Sequence, residues 1–109
     1  MKAKIVLVHF PFTDLSGSKL RPAVVIHESD QDVIVAFISS RVPAALRESD
    51  LRIDPDNPEF MATGLKTGSV IKFDKIATVS KLLIEGEIGE IPPGLAGECN
   101  EILFRMFRL

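Results

Sequence analysis

Short apolar runs separated by short polar breaks dominate the first half of the chain. Ile5–Phe10, Ala23–Ile26 and Val33–Ile38 are each four to six residues long and rich in β-branched side chains. Runs of that length bounded by turn formers predict buried strands rather than helices. Thr13-Asp14-Leu15-Ser16-Gly17-Ser18 separates the first two as a mobile loop, and Glu28-Ser29-Asp30-Gln31-Asp32 is short enough to make the second and third a hairpin. Ser39-Ser40-Arg41 closes the third run, an irregular stretch follows, and Leu51-Arg52-Ile53 reads as a short alternating strand.

The second half keeps this grammar and then changes period. Asp54-Pro-Asp-Asn-Pro-Glu59 is a loop, and Gly64-Leu-Lys-Thr-Gly68 is a turn. Ser69–Phe73 and Ile76–Val79 are expected as a strand pair with Asp74-Lys75 between them. After Ile91-Pro-Pro-Gly94, the residues Leu95, Cys99, Ile102, Leu103 and Met106 recur at helical spacing, with Arg105 and Arg108 near the negative end of the helix dipole. Five or six sequential strands and one terminal helix predict a mainly β (α+β) fold. The expected form is a small, strongly bent antiparallel sheet or SH3-like barrel, with the C-terminal helix over one mouth or face. With 109 residues, a single domain, 1–109, accounts for the whole sequence.

Composition narrows the class. An apolar fraction of 46% beside 26% charged residues describes a globular chain rather than a disordered one. No apolar run approaches the ~20 residues of a membrane helix, so no membrane partner is expected. The opening MKAKIVLVHFPF reads as a first strand, not a signal peptide, because Pro11 ends it without a small-residue cleavage site. Cys99 is the single cysteine, which excludes an internal disulfide and suits a reducing cytoplasm. The net charge of −2 is unevenly spread: Lys66, Lys72, Lys75 and Lys81 cluster against Asp74 alone, whereas Glu85 to Glu101 holds five glutamates and no base. A basic face on an acidic protein is compatible with that distribution.

The chemistry begins with exclusions. There is no phosphate-binding glycine motif, no nucleophile elbow and no HExxH, and His9 and His27 are not at metal-ligand spacing. Both histidines read as structural or surface residues, and Cys99 as a core residue on the apolar side of the helix. Arg21, Ser39, Ser40, Arg41, Asp74 and Lys75 remain, all expected at strand ends that converge in a curled sheet. An arginine fork matches phosphate oxygens, and hydroxyls beside it can stabilise charge as a ribose 2′-hydroxyl attacks. Such a site requires neither metal nor cofactor, because the nucleophile belongs to the substrate. Ordinary strand-end polarity is the alternative.

The segment VLVHFPFTDLSGSKLRPAVVI, residues 6–26, resembles the opening of the MazF/PemK (Kid) toxins of type II toxin–antitoxin systems. The resemblance continues in VIVAFISSR (33–41), in TGLKTGSVIKFDKIATVSKLLI (63–84) and in the IGEIPPGLAGECNEILFRMF turn and helix. It implies a homodimeric, metal-independent endoribonuclease that cuts single-stranded RNA to a 2′,3′-cyclic phosphate and a 5′-hydroxyl, restrained by a cognate antitoxin. The family's catalytic arginine falls on Arg21 and its strand-end hydroxyl on Ser39. RNA contacts would fall on Phe12, Thr13, Ser16, Ser18 and Lys19 of the loop, on Ser40 and Arg41, and on Asp74 and Lys75. With no Trp or Tyr, Phe12 and Phe60 are the stacking candidates, against a core or packing role for each.

The sequence departs from the family pattern at several of these positions. His9 stands where relatives often have proline. Ser39 keeps the family's hydroxyl without the methyl that fixes a threonine rotamer, and Arg41 and Lys75 replace neutral polar residues. Two other readings stay open at this point: a non-cleaving module that binds RNA or an antitoxin, and a small barrel used only for protein interaction.

Overall fold

The computed structural model describes residues 1–11 and 18–109. Its strands are β1 (Lys4–Pro11), β2 (Ser18–Glu28), β3 (Asp32–Ser39), β4 (Asp50–Ile53), β5 (Ser69–Ser80) and β6 (Ile84–Glu90), followed by helix α1 (Pro93–Met106). They form one antiparallel six-stranded sheet in the order β4-β5-β3-β2-β1-β6. The end strands β4 and β6 do not pair with each other, so the sheet is bent but open rather than closed into a barrel.

Both faces of the central strands are covered. On one face, Ile5, Val24, Ala36, Ile38, Ile71 and Phe73 pack beneath Cys99 and Ile102 of α1. On the other, Val6, Val8, Ala23, Val25, Val33, Val35 and Val79 form a second cluster. Burial on both sides explains why β1, β2 and β3 read as unbroken apolar runs. Helix α1 begins as the sequence predicts: Pro92 caps it, and Pro93 occupies the first turn, where a missing N–H costs nothing. Among the described residues no helix is long and apolar enough to cross a membrane.

Two expectations are corrected and one strand is added. Ser69–Phe73 and Ile76–Val79 are one strand, not two, because β3 runs beside the whole of β5; pairing jumps from Phe37↔Lys72 to Ala36↔Ile76, so Phe73, Asp74 and Lys75 form a bulge. β2 starts at Ser18 rather than Ala23, which places Arg21 inside a strand, paired with Val8, and not at a strand end. The acidic stretch after Ile84 contains β6, which joins the sheet through β1 despite its glutamates.

Candidate functional site

The site follows from strand register. β2 and β3 pair as Ala23↔Phe37, Val24↔Ala36 and Val25↔Val35. The ladder reaches no further than Ala23↔Phe37, and past it Arg21 of β2 and Ser39 of β3 line the same cleft. The ladder stops at Ala23 because Pro22 has no N–H to donate. Beyond it the two strands border an open cleft of about 790 Å³, lined among others by Arg21, Ser39, Ser40, Arg41, Lys66 and Lys75.

The floor of the cleft is apolar and aromatic. Phe10 and Phe37 meet edge to face, with ring centroids 4.7 Å apart and planes at 84°, and Leu20, Pro22, Ile38 and Ile76 extend the surface. Arg21, Arg41, Lys66 and Lys75 supply positive charge around it, and no Asp or Glu among the described residues joins the lining. A flat apolar floor with cations at the rim suits a ligand that has planar rings and a negatively charged backbone.

Two walls are held by local hydrogen bonds. The Ser39 hydroxyl oxygen accepts from the Arg41 N–H at 3.1 Å, which folds the chain after β3 and leaves the hydroxyl proton free to be donated outward. Across the cleft, the turn carrying Leu65, Lys66 and Thr67 is fixed at both ends. Buried Thr63 donates to the Phe60 carbonyl at 2.7 Å and accepts from Leu65 N–H at 3.2 Å. Ser69 donates to the Thr67 carbonyl at 2.9 Å. Gly64 adopts φ 71°, and a Cβ there would run into the backbone of Ile88 in β6.

The predicted residues fall in different places. Arg21, Ser39, Ser40, Arg41 and Lys75 share the cleft. Lys19 is exposed on β2 but outside the lining, while of Ser18 only the backbone place at the start of β2 is described. Phe12, Thr13 and Ser16 lie outside the described residues. Asp74 is turned to another purpose, pairing through Oδ2 with Arg47 Nη2 at 3.1 Å. Phe60 packs against the main core instead of offering a stacking face. Lys66, Thr67, Phe10 and Phe37 were not singled out by the sequence. His9 makes a 2.7 Å contact with Glu85, and Cys99 is buried, as a structural and a core residue should be.

The architecture is an open antiparallel sheet with a C-terminal helix and a basic cleft beside β2 and β3. The family model for the PemK-like, MazF-like toxin of type II toxin–antitoxin systems matches residues 1–107, and the chain belongs to that family. Solved structures share the fold. The Mycobacterium tuberculosis toxin MazF-mt6 is 19% identical over 97% of each chain, with a TM-score of 0.74. A mycobacterial endoribonuclease in complex with its cognate antitoxin is 15% identical, covering all (100%) of this chain and 95% of that one, TM-score 0.71. The MazE–MazF assembly of Deinococcus radiodurans is 16% identical over 96% of this chain and 92% of that one, TM-score 0.69. No curated protein sequence matches the chain.

Proposed function

We propose that this toxin-family protein cleaves single-stranded RNA in the cleft. The observation that carries the reading is that Arg21 and Ser39 line one cleft with an apolar floor and a cationic rim. In the reaction the ribose 2′-hydroxyl loses its proton and attacks the neighbouring phosphorus, the bond to the 5′ oxygen breaks, and that oxygen takes up a proton, so the products are a 2′,3′-cyclic phosphate and a 5′-hydroxyl with no net change in protons. The Arg21 guanidinium fork holds the non-bridging oxygens and stabilises the charge that develops on them. Ser39, its oxygen already accepting from Arg41 N–H, points its own proton at the phosphate or the departing oxygen. Arg41, Lys66 and Lys75 hold flanking phosphates, and Phe10 and Phe37 offer apolar surface to an unstacked base.

The same basic rim suits inhibition by an extended acidic segment of a cognate antitoxin, which would occupy the phosphate positions. Such a protein works in the cytoplasm, where RNA and antitoxin meet. The deciding experiment is cleavage of single-stranded RNA by purified protein in chelator, with analysis of product ends, beside Arg21→Ala and Ser39→Ala. General acid–base and electrostatic groups each contribute about 10²–10⁴ in rate, and losses of that size are expected. Intact RNA with the wild type, or full activity in both variants, overturns the assignment. RNA binding without cleavage would mark a non-catalytic module.

A further inference from the structure

The hydrogen-bonding side chains of the cleft are one-sided. Arg21, Arg41, Lys66 and Lys75 can only donate, and Ser39, Ser40, Thr67 and Ser69 are hydroxyls. Among the described residues the lining holds no carboxylate, no side-chain amide and no imidazole. The hydroxyls add little to its accepting capacity. Ser39 Oγ already accepts from the Arg41 N–H at 3.1 Å, and buried Ser69 gives its proton to the Thr67 carbonyl at 2.9 Å, occupying that acceptor too. Donors are in surplus: Arg41, Lys66 and Lys75 are exposed and, among the described residues, make no ion pair.

Unstacked bases differ in what they ask of such a wall. Adenine and cytosine present an exocyclic amine that needs an acceptor, which Asn or Gln supplies for adenine and Asp or Glu for cytosine. Guanine and uracil present a carbonyl oxygen in that place, and arginine or lysine donates to guanine O6 and N7. The cleft carries donors of that kind and, among the described residues, none of the acceptor side chains. Resting on its reading as an RNA site, we infer that the cleft selects strands that seat a keto base, guanine or uracil, next to the bound phosphate, and that Arg41 reads it. Phe37 and Ser39 stand two apart on β3 and so share a face. The bond from Arg41 N–H to Ser39 Oγ holds the next basic residue at the same end of the strand. A phosphate at Ser39 and a base on the Phe37 ring then adjoin one guanidinium, whose five donors exceed what a single phosphate accepts. An amino base in that place sets donor against donor and gives up its hydrogen bonds to water without replacement.

Strands with 2′-fluoro sugars lack the attacking hydroxyl, so binding is read without cleavage. Cytidine oligomers carrying a single central uridine, guanosine or adenosine, beside the all-cytidine strand, are titrated by fluorescence anisotropy with the wild type and with Arg41→Gln. For the wild type, uridine or guanosine is expected to tighten binding at least about fivefold over the all-cytidine strand, and adenosine to leave it unchanged. Arg41→Gln keeps the backbone bond to Ser39 and offers an amide, so its preference should move from guanosine to adenosine while every strand binds more weakly. Four strands bound alike by the wild type overturn the inference, as does tighter binding of the cytidine or adenosine strand, or a gain with only one of the two keto bases. A keto-base preference that Arg41→Gln leaves in place overturns the role of Arg41. Failure to bind any strand overturns the inference together with the RNA-cleaving reading. A keto-base preference in a protein that cuts no RNA sustains it and removes only that reading.

Discussion

Arg47 Nη2 lies 3.1 Å from Asp74 Oδ2, tying the loop that follows Ser39 and Arg41 to the bulge of β5 that carries Lys75. Two hydrogen bonds anchor Arg47 at the start of β4: its N–H donates to the Asp50 carboxylate Oδ2, and Asp50 N–H donates to the Arg47 carbonyl, each at 3.0 Å. Arg47 is largely exposed, so the pair adds at most about 1 kcal/mol to stability. The buried Asp74 Oδ1 has no hydrogen-bond partner among the described residues, which lowers the net value further. Asp74→Ala is therefore expected to leave urea unfolding nearly unchanged while KM for RNA rises about 3- to 10-fold at constant kcat, because Arg41 is less well placed. A fall in kcat alone would make Asp74 part of the chemistry.

Thr63 carries the opposite wall. Its hydroxyl is fully buried and satisfies both the Phe60 carbonyl and the Leu65 N–H. Thr63→Val keeps the shape and orphans both groups, so a loss of about 1–3 kcal/mol in urea unfolding is expected. RNA affinity should fall with it, since Lys66 and Thr67 follow directly. Unchanged stability would show that the turn is held elsewhere.

Acid should loosen the molecule at Glu28. Hydrogen bonds from Lys81 and from the N-terminal ammonium, each 2.7 Å, hold its carboxyl down at about 2 from an ordinary 4.5. A depressed folded-state value stabilises above the unfolded value and is lost as pH falls. The contribution of Glu28 is thus intact above 4.5 and disappears between 4.5 and about 2. Glu28→Gln should flatten the stability profile in that window, as urea midpoints across it will show.

Cys99 should be inert. Burial, then the charge of neighbouring Glu98, push its thiol up to about 11 from 9.0. The folded state then favours the neutral thiol, so its linkage to stability is absent at neutral pH and turns unfavourable above 9.0. At neutral pH, reaction with a disulfide reagent is expected at least about tenfold slower than in denaturant. Equal rates would mean that the contact between α1 and the sheet opens freely.

The sheet, the hairpin and the helix were legible because burial on both faces leaves unbroken apolar runs, and because the helical period of Leu95, Cys99 and Ile102 differs from a strand's. That Arg21 and Ser39 share a cleft was legible because an arginine before proline and hydroxyls after an apolar run are unusual placements. The β5 bulge was not, since a polar Asp74-Lys75 pair inside an apolar segment has the composition of a turn; only the neighbouring β3 shows that the strand continues. β6 was hidden by two glycines and three glutamates, though Ile84, Gly86 and Ile88 do alternate with charge. Lys66 and Thr67 looked like parts of a connector, and nothing local reveals which end of the sheet the connector borders. Its flanking hydroxyls, Thr63 and Ser69, were the available signal.

The meeting of Arg21 and Ser39 in one cleft depends on features at a distance from either residue, the Glu28–Asp32 connection and the one-residue register shift between Val25 and His27, which together set how β3 runs back along β2. Because side chains alternate between faces, lengthening or shortening that connection by one residue would send Arg21 and Ser39 to opposite sides of the sheet if the register followed. The apolar alternation of both strands would have to be abandoned at the same time. The alternation of buried and exposed faces therefore ties the placement of Arg21 and Ser39 to the same register that builds the core.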